Sequence, residues 1–328
     1  VTHARHPIAA LAALVLFSAC GNAGSDRTVG ISATGVVTGG VFFDANGSAT
    51  RDAGDPPVAG VRVAVVTSVG RDTVRVAVTG ATGSFRLAGI PVGSYAVVLD
   101  PNTVGDSVEV DGVSGNSVVL APDDSVTLEA LVRYPTRSIA AVRTGTLGER
   151  VFVEGVGLHA LATFSDTLLH VVDTSGALRA TRVRPSPVVA GDSVRLRGRI
   201  AERDGQRVLD DVNVFVVGAA FIPTAPVLGT ASAATANTGV LDAALVRVLD
   251  AAIVDTATVG GSLRVRVNDG SGVLTMLLDR SADPTFRPPF AAGAWDAGRR
   301  FDIVGVLVPS GAGTWALRPR SGFDLTPR

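Results

Sequence analysis

Apolar and polar residues alternate one for one along most of this chain. The period is clearest in Val61-Arg-Val-Ala-Val-Val66, Val194-Arg-Leu-Arg197 and Leu263-Arg-Val-Arg-Val267, the pattern of strands with one face buried and one in water. These runs are short and are separated by clusters such as Thr79-Gly-Ala-Thr-Gly83 and Asp173-Thr-Ser-Gly176, whose residues supply positive φ or side-chain-to-backbone bonds for turns. Only Ser138-Ile-Ala-Ala-Val142 and Thr230-Ala-Ser-Ala-Ala234 read as short helices. The chain is therefore expected to be all-β.

Beyond Pro135 the pattern repeats. Glu149-Arg-Val-Phe-Val, Leu168-Leu-His-Val-Val-Asp173 and Ala190-Gly-Asp-Ser-Val-Arg-Leu-Arg-Gly198 are answered in order by Leu245-Val-Arg-Val-Leu, Leu263-Arg-Val-Arg-Val-Asn-Asp269 and Ala297-Gly-Arg-Arg-Phe-Asp-Ile-Val-Gly305. The Asp-x-Ser-Gly turns at Asp173 and Asp269 lie 96 residues apart, and Gly198 and Gly305, each read as ending a strand, lie 107 apart. A duplicated five-stranded unit is expected at 135–219 and 220–328. Its order of motifs resembles the small OB-fold barrels attached to secreted bacterial proteins, some extracellular nucleases among them, which implies two tandem OB-like five-stranded barrels.

One stretch breaks the alternation. Ile8 to Phe17 is an apolar run of ten behind His3, Arg5 and His6, too short to span a bilayer and suited to the core of an export signal. It ends in Ser18-Ala19-Cys20, which holds the chain's single cysteine and resembles a bacterial lipobox with Phe17 at its first position. The resemblance implies a signal peptide over 1–19, lipidation of Cys20, a flexible tether over 20–35 and a protein anchored at the cell surface or outer membrane.

Between tether and barrels stands the segment richest in candidate chemistry. Asp44, Asn46, Ser48, Thr50, Asp52 and Asp55 fall at positions 1, 3, 5, 7, 9 and 12 of a twelve-residue loop, the spacing that wraps oxygen donors around Ca²⁺. The loop has Ala49 where the sharp turn ordinarily takes glycine, and Asp55 in place of a longer glutamate. With the Gly60-Val-Arg-Val strand entry, the Gly83-Ser-Phe85 turn and the Gly89-Ile-Pro-Val-Gly-Ser-Tyr95 hairpin, it resembles the B-type domain of serine-aspartate repeat surface proteins, itself similar to collagen-adhesin B-type domains. The resemblance covers 36–134 and implies a Greek-key-type β-sandwich, displayed outside the cell, stabilised by Ca²⁺ and without catalytic activity.

Composition narrows this further. The 29 basic residues are all arginine. Some adhesin B-type domains cross-link a lysine amine to an Asn or Asp side chain, and a guanidinium, always protonated, cannot replace it. Net charge is −1 overall but −5 over 36–134, +2 over 135–219 and +1 over 220–328, so the acidic excess lies with the proposed cation loop. No strong field toward nucleic acid or anionic membrane acts through the whole molecule.

Other chemistry is weaker. The Gly-Asp-Ser-Val strings at Gly105–Val108 and Gly191–Val194 precede alternating runs and read as turns into strands, not as nucleophile elbows. His159, Asp166 and His170 have no zinc-ligand spacing, and the two histidines are expected to face solvent. Arg195, Arg197 and Arg199 alternate on one strand face and form a possible basic stripe for nucleic acid, although nearby aromatics for base stacking are few. The expected function is a non-catalytic, lipid-anchored envelope protein with a structural or adhesive role and an extracellular macromolecule as partner. The alternative is a module whose barrels bind nucleic acid or polysaccharide as an accessory to a secreted hydrolase.

Overall fold

The computed structural model describes residues 33–105, 108–113, 116–260, 262–283, 286 and 293–328. The signal segment, Cys20 and the tether up to residue 32 lie outside the described residues, as do Asp106 and Ser107 of the first Gly-Asp-Ser-Val string. Among the described residues no helix is long and apolar enough to cross a membrane. The fold is nearly all β, as the alternation requires.

The first eight strands are β1 (Thr34–Phe43), β2 (Arg62–Thr67), β3 (Thr73–Val78), β4 (Ser84–Pro91), β5 (Gly93–Leu99), β6 (Glu109–Val113), β7 (Ser117–Leu120) and β8 (Ser125–Arg133). They form two four-stranded sheets, ordered β4-β1-β8-β6 and β3-β2-β5-β7. Among the described strands only β2 and β3 are paired sequence neighbours, and the other connections cross between the sheets. The inward residues of the alternation, among them Val37, Val41, Val63, Val65, Leu87, Ile90 and Val97, fill the space between the layers. The first and last strands run parallel, with Phe43 opposite Val132. That pairing decides the placement of the site. The acidic loop after β1 and the chain leaving β8 emerge from the same end of the sandwich.

Helix α1 (Ile139–Thr144) and strands β9 (Arg150–Gly157), β10 (Leu168–Asp173), β11 (Gly176–Thr181), β12 (Asp192–Arg203) and β13 (Gln206–Ala219) make the first barrel. It closes in the order β10-β11-β13-β12-β9, with β11 and β13 parallel. Helix α2 (Thr230–Ala234) and strands β14 (Leu245–Val259), β15 (Ser262–Asn268), β16 (Val273–Leu278), β17 (Arg300–Gly311) and β18 (Thr314–Arg318) repeat that order, β14 pairing β17 to close the ring, and β19 (Leu325–Pro327) adds to the edge of β17. In both, the first strand bonds the second and fourth, and the third runs parallel to the fifth, which is the OB arrangement.

The repeated motifs act on one another. Asp173 accepts from the Ile139 amide at 2.8 Å and Ser175 Oγ from that of Ala140 at 2.9 Å; Asp269 and Ser271 do the same for Thr230 and Ala231 at 3.1 Å each. Each Asp-x-Ser-Gly turn thus supplies acceptors to the open N-terminus of a helix, beside the Ser138 cap in α1 and in place of a side-chain cap in α2, whose N-cap is Gly229. The expectation that Gly198 and Gly305 end strands is corrected: both lie inside the long fourth strand of their barrel. A Cβ at Gly198 would stand 2.7 Å from Leu209 and one at Gly305 2.9 Å from the Arg318 backbone, so glycine there permits the tight bend that closes the ring.

The two barrels pack directly on each other. Leu158 and Phe164 of the first share a small core with Val306, Val308 and Ala316 of the second. Arg143 donates to the carbonyls of Gly239 and Asp242 at 2.7 and 3.2 Å, and Arg320 to that of Leu158 at 3.0 Å. The loop between the first two strands, one of the surfaces an OB barrel offers to ligands, is in barrel 1 partly covered by barrel 2, at Leu158 and Phe164.

Candidate binding site at the junction of sandwich and first barrel

The Asp44–Asp55 loop is organised by two buried carboxylates. Asp44 follows directly from β1, its own amide bonded to Val132 at 2.9 Å. Its Oδ1 accepts from the amides of Gly47 (2.7 Å) and Ser48 (3.0 Å) and its Oδ2 from that of Ala49 (2.9 Å). Asp55 closes the loop from the other end, accepting from the amides of Ala45 at 2.9 Å and Asp52 at 2.8 Å. Asp52 accepts from Asn46 Nδ2 at 2.9 Å and Ser48 Oγ at 2.7 Å. These bonds, led by the one from Ser48, hold the Asp52 carboxyl below its ordinary pKa. Thr50 lies at the exposed rim, its hydroxyl 3.1 Å from that of Ser48.

The donors decide how the loop suits Ca²⁺. All six side chains carry oxygen, the kind the ion takes. Ala49 at the sixth position adopts a φ of 61°, the conformation glycine ordinarily supplies there. The carboxylates, however, face N–H and O–H groups of the loop itself, and Asn46 presents its amide nitrogen to Asp52. Among the described residues no three His, Cys, Asp or Glu side chains gather into a metal group. In kind the loop fits the ion; in arrangement it is closed on its own donors.

The sequence treated the acidic loop and the arginine stripe as separate features, and tertiary structure brings them together. Arg195 donates to the Asn46 carbonyl at 3.3 Å and Arg197 to the Ala45 carbonyl at 2.6 Å. Arg195 is held from behind by Glu154 of β9 at 2.9 Å. Gly47 sits where the two domains meet: its φ is 72°, and a Cβ would stand 2.6 Å from Arg195 Cδ and 3.3 Å from Phe152. Tyr134, on the connection, packs edge-on against Phe43 at 4.9 Å and against Phe152 at 6.5 Å, carrying an aromatic seam from the sandwich into the barrel. Two of the three stripe arginines are thus engaged with the neighbouring domain. Arg199 is exposed, beyond a register shift in β12.

Beside the clamp lies a cleft of about 360 Å³ lined by Phe43, Tyr134, Arg150, Arg184, Arg197 and Arg199, and also by Asp211 and Asn213. Sequence reading missed Arg150 and Arg184, because they stand on β9 and on the β11–β12 connection, 47 and 13 residues from Arg197.

His159 and His170, expected to face solvent, are both buried. His159 Nδ1 donates to the Ala160 carbonyl at 2.8 Å, so its Nε2 accepts, from His170 Nδ1 at 2.8 Å and from the His170 amide at 3.2 Å. Burial, opposed by the bond to Ala160 and reinforced by Arg318 and Arg320, brings the His159 pKa down to about 4; burial and then His159 itself hold that of His170 well below 6.5. Asp166 is not part of this pair; its carboxylate lies 3.4 Å from Ser165 Oγ. Alternation along β10 turns Leu169 and Val171 into the barrel core and His170 to the other face, and His159 lies just past the end of β9, so the local pattern leaves both histidines to solvent.

No protein-family model and no curated protein matches this chain. Among solved structures it is similar to the minor pilin GBS52 of Streptococcus agalactiae (14% identity, 31% of this chain and 45% of that one, TM-score 0.24) and to the hypothetical protein ygiW of E. coli (16%, 26% and 97%, 0.22). It is also similar to the Ifi202 HINa domain solved with a 20-base-pair double-stranded DNA (12%, 56% and 97%, 0.28). The chain thus spans less than half the length of the pilin it resembles.

Proposed function

We propose that this chain is a non-catalytic, exported envelope protein, lipid-anchored through Cys20, in which three β-domains form a structural or adhesive arm stiffened at its first joint. The observation that carries the proposal is the seating of the Asp44–Asp55 loop on barrel 1 by Arg195 and Arg197. Charge-assisted bonds to backbone carbonyls are stronger than neutral ones and fix orientation as well as distance. The direct packing of barrel on barrel supports the same reading. Both features resist bending between domains, which a load-bearing arm requires and a flexible string of modules does not.

Ca²⁺ belongs to this proposal as an effector of the joint. Asp44, Asn46, Ser48, Thr50, Asp52 and Asp55 would hold it, and uptake requires Asn46 and Ser48 to release Asp52. The ion would supply positive charge to an acidic loop; the loop's own residues keep its two ends together and present the Ala45 and Asn46 carbonyls to the arginines.

Native mass spectrometry of the mature protein with and without Ca²⁺ tests both parts. The expected result is a lipidated N-terminal cysteine and one bound Ca²⁺ that Asp52→Ala removes, with a melting temperature that rises with Ca²⁺ and returns with a chelator. An unmodified Cys20 overturns the anchor. Indifference of wild type and Asp52→Ala alike to Ca²⁺ and chelator overturns the metal.

A further inference from the structure

Four guanidinium groups reach the cleft at the junction of sandwich and barrel, and one carboxylate answers them. Arg184 is paired with Asp211 at 3.3 Å, between two exposed side chains, where an ion pair contributes little. Arg150 has Tyr134 as its polar neighbour, with 3.5 Å between its Nη1 and the phenol oxygen and 5.8 Å from guanidinium carbon to ring centre. Arg197 donates one hydrogen bond among the described residues, to the Ala45 carbonyl, and lies 6.0 Å from the Phe43 ring and 5.9 Å from the Phe215 ring. Among the described residues Arg199 makes no side-chain hydrogen bond and no ion pair.

The cations therefore outnumber the anions four to one in a concave space with aromatic walls. Burial lowers the pKa of Arg197, and Arg150 and Arg184 lower it further against the opposing influence of Tyr134 and Asp44. Arginines crowded in this way repel one another, and the repulsion is relieved by a multiply charged oxyanion whose lone pairs meet several forks at once.

We propose that this interdomain cleft binds a phosphate-class dianion, as free phosphate or as the phosphoryl group of a small monoester, held by Arg150, Arg184, Arg197 and Arg199. A volume of about 360 Å³ is at the small end of ligand pockets and suits one phosphorylated unit better than a length of polymer. Because its walls come from both domains, an occupied cleft ties the sandwich to barrel 1. The cleft is independent of the Ca²⁺ reading: its residues are arginines and aromatics, and it is probed without divalent ions.

Isothermal titration in Ca²⁺-free buffer at constant ionic strength, with inorganic phosphate and with glucose 6-phosphate as probes, is the test. Wild-type protein is expected to bind one equivalent, and Arg199→Gln and Arg150→Gln each to weaken binding about tenfold, the loss expected when a charged hydrogen bond is removed. Both positions are reachable without breaking the Arg197 clamp, and an unchanged melting temperature confirms intact folding. Arg264→Gln, on an exposed strand face of barrel 2, should bind as wild type does. Tighter binding of the ester assigns the Phe43 and Tyr134 walls to its sugar, and equal binding assigns the site to the free anion. No heat with either probe, equal affinity in wild type and Arg199→Gln, or equal loss in Arg264→Gln overturns the proposal. Single-stranded DNA binding more tightly than the monoester and weakened by Arg199→Gln overturns the small-ligand assignment.

Discussion

Acidification from pH 7 to pH 5 should loosen the contact between the two barrels, through His159 and His170. In the folded protein both imidazoles are neutral. His159 has one nitrogen committed as donor and the other as acceptor, while His170 Nε2 is buried without a hydrogen-bond partner among the described residues. A proton on His159 Nε2 breaks the bond from His170, one on His170 Nε2 creates a buried charge without a hydrogen-bond partner among the described residues, and either places a cation beside Phe164, with Arg318 and Arg320 near His159 and Arg318 and Arg179 near His170. The unfolded chain has no such penalty and takes up protons with a pKa of about 6.5. Since the folded value for His159 is about 4, the unfolded state binds more protons between these limits, and stability must rise with pH across that window. The contribution is complete above about pH 6.5 and is lost as pH falls toward the folded pKa; over the step from 7 to 5 the linkage integral for one such histidine is about 2 kcal/mol, with His170 adding in the same direction. Urea unfolding at pH 7, 6 and 5 measures the slope. Carbon-detected titration of the two imidazoles in the folded protein checks its cause, because neither should shift above pH 5. An imidazole that titrates near 6.5 while the protein remains folded, or unfolding free energies that agree at pH 7 and 5, would refute the reasoning.

Two further outcomes are expected. Gly47→Ala should cost about 1–2 kcal/mol for the left-handed backbone alone and should displace Arg195 from Asn46, read as earlier urea unfolding and faster proteolysis at the connection near Tyr134; unchanged proteolysis would mean that the loop does not govern the joint. Asp269→Ala removes the acceptor for Thr230 and Ser271 and should destabilise barrel 2 by about 1–2 kcal/mol. Burial works to raise the Asp269 pKa, but the Ser271 and Thr230 bonds outweigh it and hold it at about 2, so its contribution is present above about pH 3.8 and is lost as pH falls through 2. The acid limb of the wild-type stability curve in that range should therefore flatten in the variant, and an unchanged limb would assign it to other carboxylates.

Much of the architecture was legible because period-two alternation is a local property. Val63 and Val65, or Val265 and Val267, face inward for the reason that Arg62 or Arg264 face outward, and no distant contact is needed to see it. The repeat was legible for the same reason, since equivalent strands bury equivalent faces. The strand-interior positions of Gly198 and Gly305 were not, because a glycine that bends a strand and one that ends it look alike until the barrel closes around Leu209 or Arg318.

What the sequence determined alone is the list of parts: alternating strands, two Asp-x-Ser-Gly turns, a loop with side-chain oxygens at positions 1, 3, 5, 7, 9 and 12, and an arginine stripe. What only tertiary structure decided is which parts meet. The parallel pairing of β1 with β8 carries the Asp44–Asp55 loop to the exit of the sandwich, and there Arg195 and Arg197, some 150 residues away in the chain, find the Ala45 and Asn46 carbonyls. Barrel closure and barrel contact similarly bury two histidines that alternation alone left to solvent. The physical reason is common to all three: side-chain periodicity follows from the backbone of one strand, whereas the partner of a charge depends on topology, which joins residues that no local pattern relates.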